Sequence, residues 1–232
     1  SFVEVRVEDT LKKLQSKAGI DKLREEVYKT HSGWDNMVLD IGFDRIVISS
    51  VNLAENKKYQ SKNIACICEE YGYEDEIEFV SKLLISENGK VSIIVMSMTQ
   101  EDVDTIAKVP YISVISDSLY GAPDCPHPRL YGSFSKIIRD YVNERKILTF
   151  EEAIHKMTAM TAKRFSLSNR GIIKEGYIAD LNIFSRSLII DKATFETPKQ
   201  LSCGMDYVLI DGKIAYENKM ADAKYGKAVR CK

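Results

Sequence analysis

Residues 111–118 read YISVISDS, an apolar run that ends on one carboxylate, Asp117. The run Tyr111–Ser116 has the composition of a buried strand. A carboxylate at the carboxyl end of a buried parallel strand lies where α/β barrels keep their chemistry, because the loops after the strands converge on one face. Asp117 is therefore a candidate functional carboxylate. The local pattern leaves open the alternative that it only caps a turn.

Upstream of this run, the pattern predicts a strand and a helix. Val91–Met96 is a continuous apolar run typical of a buried strand, and Thr99 with Asp102 resembles a capping box that opens a helix ending before Pro110. Strand, helix and strand within about 25 residues indicate a βαβ unit with parallel strands and a right-handed crossover.

Other helices and strands follow from hydrophobic periodicity and from glycine stops. Downstream, an apolar stripe over Phe134–Val142 predicts a helix, and Thr149 with Glu152 forms a second capping box. His155 falls off the apolar stripe of that second helix, which predicts a solvated residue and not a ligand. The remaining predicted elements are a helix over Glu8–His31 with a break at Gly19, a strand over Arg45–Val51, and helices over Ser61–Gly72 and Glu74–Gly89.

From Arg170 onward, glycines separate short β-type runs. Asp211-Gly212 between two such runs is the strongest hairpin signal in the chain. The last third is therefore predicted to be a small β-layer, distinct from the α/β part.

Composition excludes several classes of protein. In 232 residues the net charge is -1, and basic residues alternate with acidic ones, so nothing favours nucleic-acid binding. No apolar run approaches the roughly 20 residues that span a bilayer. Five cysteines without a regular framework predict a reducing, cytoplasmic location. Cys125 lies two residues from His127, but a zinc site needs three or four ligands, and the chain has only three histidines.

Two groups of motifs resemble a known family. Arg170–Leu181, RGIIKEGYIADL, resembles the segment with which metal-dependent amidohydrolases leave a (β/α)8 barrel and complete a small β-sandwich. Its glycines make turns, and Asp180 can anchor a turn through its carboxylate. A narrower resemblance is to the D-aminoacylases, the N-acyl-D-amino-acid deacylases. It rests on SMTQEDV at 97–103, Ser116-Asp117, PHPRLYGSF at 126–134 and Met157-Thr158.

The resemblance implies an α/β fold. We expect a partial TIM barrel, with the last strands and helices of an amidohydrolase barrel, plus C-terminal β-sandwich strands. The segments would be 1–90, mostly a helical, lid-like insertion with part of the barrel; 91–168, the last barrel βα units with Asp117; and 169–232, the C-terminal β-segment.

By the same resemblance, Asp117 is a metal ligand and the proton shuttle. The implied reaction is zinc-assisted hydrolysis of an N-acyl-D-amino acid to a D-amino acid and a carboxylate, in which zinc lowers the pKa of a bound water and polarises the scissile carbonyl. The family usually reads Ser-Asp-Gly, whereas Ser118 stands here in place of the glycine. The family's His-x-His pair, bridging cysteine and two later histidines would lie upstream of Ser1. We therefore expect a C-terminal fragment that is inactive and metal-poor by itself.

Arg129 is a candidate for binding the α-carboxylate of the substrate, because its planar guanidinium binds carboxylates at two points. The alternative is an arginine that pairs with a neighbouring acid and holds the loop. His127 lies between two prolines and is either a loop-fixing or a substrate-binding residue. Tyr131 either lines the pocket or fills the base of the loop.

Two further functions remain open. One is a hydantoinase- or dihydroorotase-like hydrolase of cyclic amides, against which the Pro-His-Pro-Arg loop argues. The other is a non-catalytic module, a homo-oligomer in which the open barrel edges pack against a second copy.

Overall fold

The computed structural model describes residues 6–33, 35–118 and 125–229, which form two compact units. Among these residues, the first unit takes in 6–99 and 125–127, and the second takes in 100–118 and 128–229. Gly121 and Pro123, at the start of the proline-rich loop, lie outside the described residues.

The first unit begins with two helices, α1 (Val7–Leu14) and α2 (Lys17–Val27). The predicted break at Gly19 is wrong, since the helix is interrupted at Gln15 and Ser16, and Gly19 lies inside α2. The cause is local: the Ser16 hydroxyl accepts a hydrogen bond from the Gly19 N–H at 3.1 Å, which caps the new helix.

The core of the first unit lies between a strand pair and two helices. The strands are β1 (Ile46–Ser50) and β2 (Ser92–Val95), and α4 (Ile64–Tyr71) and α5 (Glu76–Ser86) lie between them in sequence. Ile48, Ile67 and Phe79 are at most 1% exposed and belong to one apolar cluster. The other elements of this unit are α3 (Met37–Ile41) and the 3₁₀ turns Phe43–Arg45 and Ala54–Tyr59.

The predicted parallel βαβ unit is not formed. The strand predicted at Val91–Met96 is present as β2, but it pairs antiparallel with β1, with Ile46 opposite Val95. Its Ile93 is 50% exposed, so the strand is not buried as predicted. The helix after it is confirmed as α6 (Gln100–Lys108).

The predicted strand at Tyr111–Ser116 is also wrong, because residues 112–118 lie in no helix or strand. A strand needs a neighbour to complete its ladder of hydrogen bonds. Here the Val114 N–H donates instead to the carbonyl oxygen of Lys156, a helical residue, at 3.3 Å. Tyr111 and Ile115 are mostly exposed, so the apolar composition of this run does not reflect burial.

Helices form the first part of the second unit. The helix predicted around Phe134–Val142 is present as α7 (Arg129–Lys136), which continues as a π-helical segment over Ile137–Glu144. Tyr141 and Val142 of this segment pack in the core, whereas Phe134 is largely exposed. The following helices are α8 (Phe150–Met157) and α9 (Ala159–Arg164).

The predicted capping box at the start of α8 is confirmed. The Thr149 side chain accepts from the Glu152 N–H, and the Glu152 carboxylate accepts from the Thr149 N–H at 2.8 Å. The hydrogen bonds that the Glu152 carboxylate accepts from the N–H and the hydroxyl of Thr149 lower the pKa of Glu152. His155 is exposed on α8, as predicted for a solvated residue.

The last part of the second unit is an antiparallel sheet in the order β3-β4-β5-β6. The strands are Leu181–Phe184, Met205–Ile210, Lys213–Glu217 and Lys219–Met220. The predicted hairpin turn is confirmed, with Asp211 at φ 53° and Gly212 at φ 75°, the left-handed backbone that a two-residue hairpin requires. Asp180 anchors this turn, because its carboxylate accepts from the Asp211 N–H at 2.9 Å.

Within the described residues, no helix combines the length and the apolar character that crossing a bilayer demands.

Candidate active site

Asp117 lies between α6 and α7, on the irregular run that follows α6. Its backbone has a φ of 45°, in the left-handed region where aspartate is one of the more common residues other than glycine. The Ser118 hydroxyl donates to the Ser116 carbonyl at 3.1 Å, a local hydrogen bond that spans Asp117. The left-handed conformation thus falls on Asp117 itself and not on Ser118.

Arg129 is the first residue of α7, and its side chain reaches Asp117. The Arg129 Nη2 lies 3.2 Å from the Asp117 Oδ2. Both residues belong to the second unit. The carboxylate side chain is 73% exposed and the guanidinium side chain 42%. The structure thus brings together the two residues for which the sequence predicts chemistry, in the ion pair that was one of the two alternatives for Arg129.

Tyr131 and His127 lie on either side of Arg129 in sequence, and the structure assigns them to different units. Tyr131 is half-buried in the first turn of α7, where its N–H donates to the Pro128 carbonyl at 3.0 Å. Its own carbonyl accepts from the Ser202 hydroxyl at 3.4 Å. His127 belongs to the first unit and is half-buried.

Cys125, the other member of the Cys125–His127 pair, contacts β1 and the turn after it. Its thiol accepts a hydrogen bond from the Ser61 hydroxyl at 3.7 Å, and the Ser49 hydroxyl donates to its carbonyl. Across 6–33, 35–118 and 125–229, no three or more histidine, cysteine, aspartate or glutamate side chains come close enough together to hold a metal ion. These residues therefore do not form a metal site by themselves, and Asp117 can supply only one ligand.

The sequence analysis missed Lys156. This residue of α8 is only 4% exposed, and its ammonium donates to the carbonyls of Val109 and Ile112. Burial lowers the pKa of the Lys156 ammonium, and the Glu152 carboxylate opposes this shift. A signal was present in the sequence: Lys156 lies three residues after the buried Ala153, so both occupy one helix face.

Each unit contains a cavity. One in the first unit, of about 300 Å³, is lined by residues that include Lys58, Tyr59 and Tyr73. One in the second unit, of about 490 Å³, is lined by Asn143, Ser185, Arg186 and Ser187. Neither of these two cavities is lined by Asp117 or Arg129.

The chain belongs to the Amidohydrolase family, whose model matches residues 74–216. The matched range contains Asp117, Arg129, Lys156 and the Asp180–Asp211 turn.

Individual relatives confirm the predicted resemblance to the D-aminoacylases. The chain is 39% identical over 127 residues to an N-acyl-D-aspartate deacylase of Alcaligenes xylosoxydans xylosoxydans, a match that covers 55% of this chain and 25% of that protein. It therefore spans about a quarter of the length of this relative.

Two solved structures match the fold over most of the chain. An N-acyl-D-glutamate deacylase from Bordetella bronchiseptica, complexed with zinc and a phosphonate inhibitor, matches with a TM-score of 0.71 and 28% identity, over 84% of this chain and 39% of that chain. A D-aminoacylase studied for the role of its binuclear metal centre matches with a TM-score of 0.67 and 27% identity, over 78% of this chain and 36% of that one.

Proposed function

We propose that this chain is the C-terminal part of a zinc-dependent hydrolase that cleaves N-acyl-D-amino acids to a D-amino acid and a carboxylate. The observation that carries the proposal is the pairing of Asp117 with Arg129 at 3.2 Å, inside the range that matches the family. The names of the relatives, deacylases of N-acyl-D-aspartate and N-acyl-D-glutamate, support the substrate class.

In this proposal, Asp117 is the catalytic carboxylate and one metal ligand. A carboxylate within reach of the attacking water can accept its proton as the C–O bond forms, and can then give the proton to the leaving amine as the amide C–N bond breaks. The exposure of Asp117 supports this role, since 73% of its side chain is open to a reactant.

Arg129 binds the α-carboxylate of the substrate in this proposal. The guanidinium now contacts Asp117, so an incoming carboxylate would replace one acid partner with another. Exposed ion pairs stabilise proteins by only about 0.2–1 kcal/mol, so this exchange costs little. Release of Arg129 would also free the Asp117 carboxylate for its own chemistry.

A substrate-binding role of His127, which belongs to the first unit, stays a prediction. Tyr131 is proposed to line the substrate site close to Arg129 on α7. The first turn of α7 supports this assignment, because the Tyr131 N–H bonded to the Pro128 carbonyl fixes the backbone directly after Arg129.

The zinc site must be completed by residues outside the described part of the chain. The described residues offer Asp117 but no cluster of three ligands, so they do not fit a zinc ion by themselves. In this proposal the chain contributes one ligand, the Asp117 carboxylate, together with the Arg129 guanidinium that binds the substrate.

For the architecture, we propose the last strands and helices of a TIM barrel, followed by C-terminal β-sandwich strands. The sheet β3-β4-β5-β6 supports the second part. The division at 1–90, 91–168 and 169–232, the cytoplasmic location and a homo-oligomer covering open edges remain predictions.

Two proteins test the function: the 232-residue chain and the product of the longest reading frame that contains it. Both are assayed with N-acetyl-D-glutamate, N-acetyl-D-aspartate and their L-enantiomers, and zinc is measured by mass spectrometry. We expect D-specific turnover and bound zinc in the longer product only. Turnover with bound zinc in the 232-residue chain would overturn the assignment of ligands to other residues. A zinc-loaded longer product that is inactive on these substrates would overturn the deacylase assignment.

The same preparations test the two alternatives. Hydrolysis of hydantoin or dihydroorotate in place of the N-acyl substrates would favour the cyclic-amide hydrolase. Sedimentation tests the oligomeric module, since a monomeric 232-residue chain would contradict it.

A further inference from the structure

Lys156 occupies an unusual environment for a lysine. Lysine side chains commonly bury their methylene groups and keep the ammonium in water. Here the whole residue is 4% exposed, and the ammonium lies between the carbonyl oxygens of Val109 and Ile112, 3.1 Å from the second. Its described hydrogen bonds go to these two carbonyls, and the carboxylate of Glu152, one turn earlier on α8, accepts instead from Thr149.

The two carbonyls explain why a cation is accommodated here. Val109 directly follows α6, and the carbonyls at the C-terminal end of a helix lack partners within it. A cation at this end is favoured by the helix dipole. Lys156 therefore caps α6 from another helix, and hydrogen bonds to carbonyl oxygens offset part of the cost of burying its charge.

The backbone of Lys156 also contacts residues 109–114, further along this segment than the side chain does. Its carbonyl accepts from the Val114 N–H at 3.3 Å, while the Thr161 hydroxyl donates to the same oxygen. From α9, the Arg164 guanidinium donates to the Tyr111 carbonyl at 3.3 Å. The run that precedes Asp117 is thus attached to α8 and α9 through side chains and single backbone bonds, and not through a strand ladder.

We propose that Lys156 is a positioning residue that holds residues 109–114 against α8 and thereby fixes Asp117 beside Arg129. Asp117 lies five residues beyond Ile112, whereas Arg129 is carried independently by α7. Loss of the ammonium would therefore displace the carboxylate without moving the arginine. The expected loss of catalysis rests on the proposed function, whereas the expected displacement of Asp117 does not.

The first test uses the 232-residue chain and needs no activity. Hydrogen exchange is measured on the parent, Lys156→Met, Lys156→Gln and the control Lys163→Met, which removes an exposed lysine of α9. We expect exchange at residues 112–118 to rise about tenfold in Lys156→Met, less in Lys156→Gln, which retains a donor, and not at all in the control. Exchange over β3–β6 stays unchanged.

Three results would contradict the positioning role. Exchange at residues 112–118 within twofold of the parent in a folded Lys156→Met would do so. An equal rise across the whole second unit would also do so. If neither Lys156 variant folds while Lys163→Met does, the residue stabilises the entire unit and not this run, which again overturns the proposal.

The second test uses the longer gene product. We expect Lys156→Met to lower kcat about tenfold or more with KM nearly unchanged, because misplacing a catalytic group affects the transition state more than substrate binding. Lys156→Gln should recover part of the loss. A raised KM with unchanged kcat would contradict this consequence. Inactivity of the parent would reject the proposed function and leave the exchange result to decide the positioning role.

Discussion

Asp117 and Asp180 each pair with an arginine, but they differ in exposure and in the other bonds that their carboxylates accept. Asp180 contacts Arg170 and also accepts from the backbone of Asp211, 31 residues away. Asp117 contacts Arg129 alone among the bonds described for it, and 73% of its side chain is exposed, compared with 38% for Asp180. An aspartate that organises a turn uses its oxygens internally, whereas one that serves chemistry must keep them open to a reactant.

Replacing Asp117 is expected to have the largest effect on activity. In the longer gene product, Asp117→Asn should lower kcat by about 10²–10⁴-fold, because the amide cannot accept the proton. The free energy of unfolding, measured by thermal denaturation, should change by no more than about 0.5 kcal/mol, as for other exposed sites. Asp222→Asn, at another exposed aspartate, is the matched control for both measurements. Retained turnover in Asp117→Asn would remove the contrast with Asp180.

Replacing Asp180 is expected to reverse this pattern. Asp180→Ala removes the acceptor of the Asp211 N–H and the partner of Arg170, so we expect a loss of about 1–3 kcal/mol in the free energy of unfolding. Denaturant unfolding measures this loss, and kcat should stay close to the parent value. Asp206→Ala, an exposed aspartate on β4, should be within about 0.5 kcal/mol of the parent. An equal effect of both variants would show that Asp180 does not anchor the turn.

Replacing the arginine partners, Arg129 of Asp117 and Arg170 of Asp180, is expected to have a smaller effect than replacing the aspartates. Arg129→Lys keeps the charge but loses two-point binding, so we expect KM for the N-acyl-D-amino acid to rise about tenfold with stability unchanged. Arg170→Lys should leave KM unchanged and lower the melting temperature. Steady-state kinetics and thermal melts of the same two variants decide between these outcomes, and exchanged phenotypes would refute the assignment of Arg129 to the substrate.

The smallest effect concerns pH and the turn that Asp180 anchors. The Lys227 ammonium donates to Asp211 at 2.8 Å and lowers the pKa of that carboxyl. Because the folded pKa lies below the unfolded value, the contribution to stability is present above the unfolded pKa of about 3.9 and is lost as pH falls through the folded value. We expect a small acid-dependent fall in melting temperature that both Asp211→Asn and Lys227→Gln abolish. If the melting temperature of these variants falls with acid as it does in the parent, the Asp211–Lys227 pair is not the cause.

Features specified by neighbouring residues were predictable from the sequence. The capping box of Thr149 and Glu152 and the hairpin at Asp211-Gly212 involve residues at most three apart, so the bonding partners are visible in the sequence. The break between α1 and α2 was misplaced because glycine was given more weight than the serine that caps α2. The family motifs located Asp117 and Arg129, although the sequence left two roles open for the arginine.

By itself, the sequence determined the local caps and turns and the membership of the chain in the Amidohydrolase family, because each depends on residue types at short, fixed spacings. Only the tertiary structure decided that β2 pairs antiparallel with β1, that Tyr111–Ser116 forms no strand, and that Lys156 holds this run. The physical reason is that an apolar run becomes a strand only beside a neighbour that completes its hydrogen bonds, and that neighbour is chosen by contacts between residues distant in sequence.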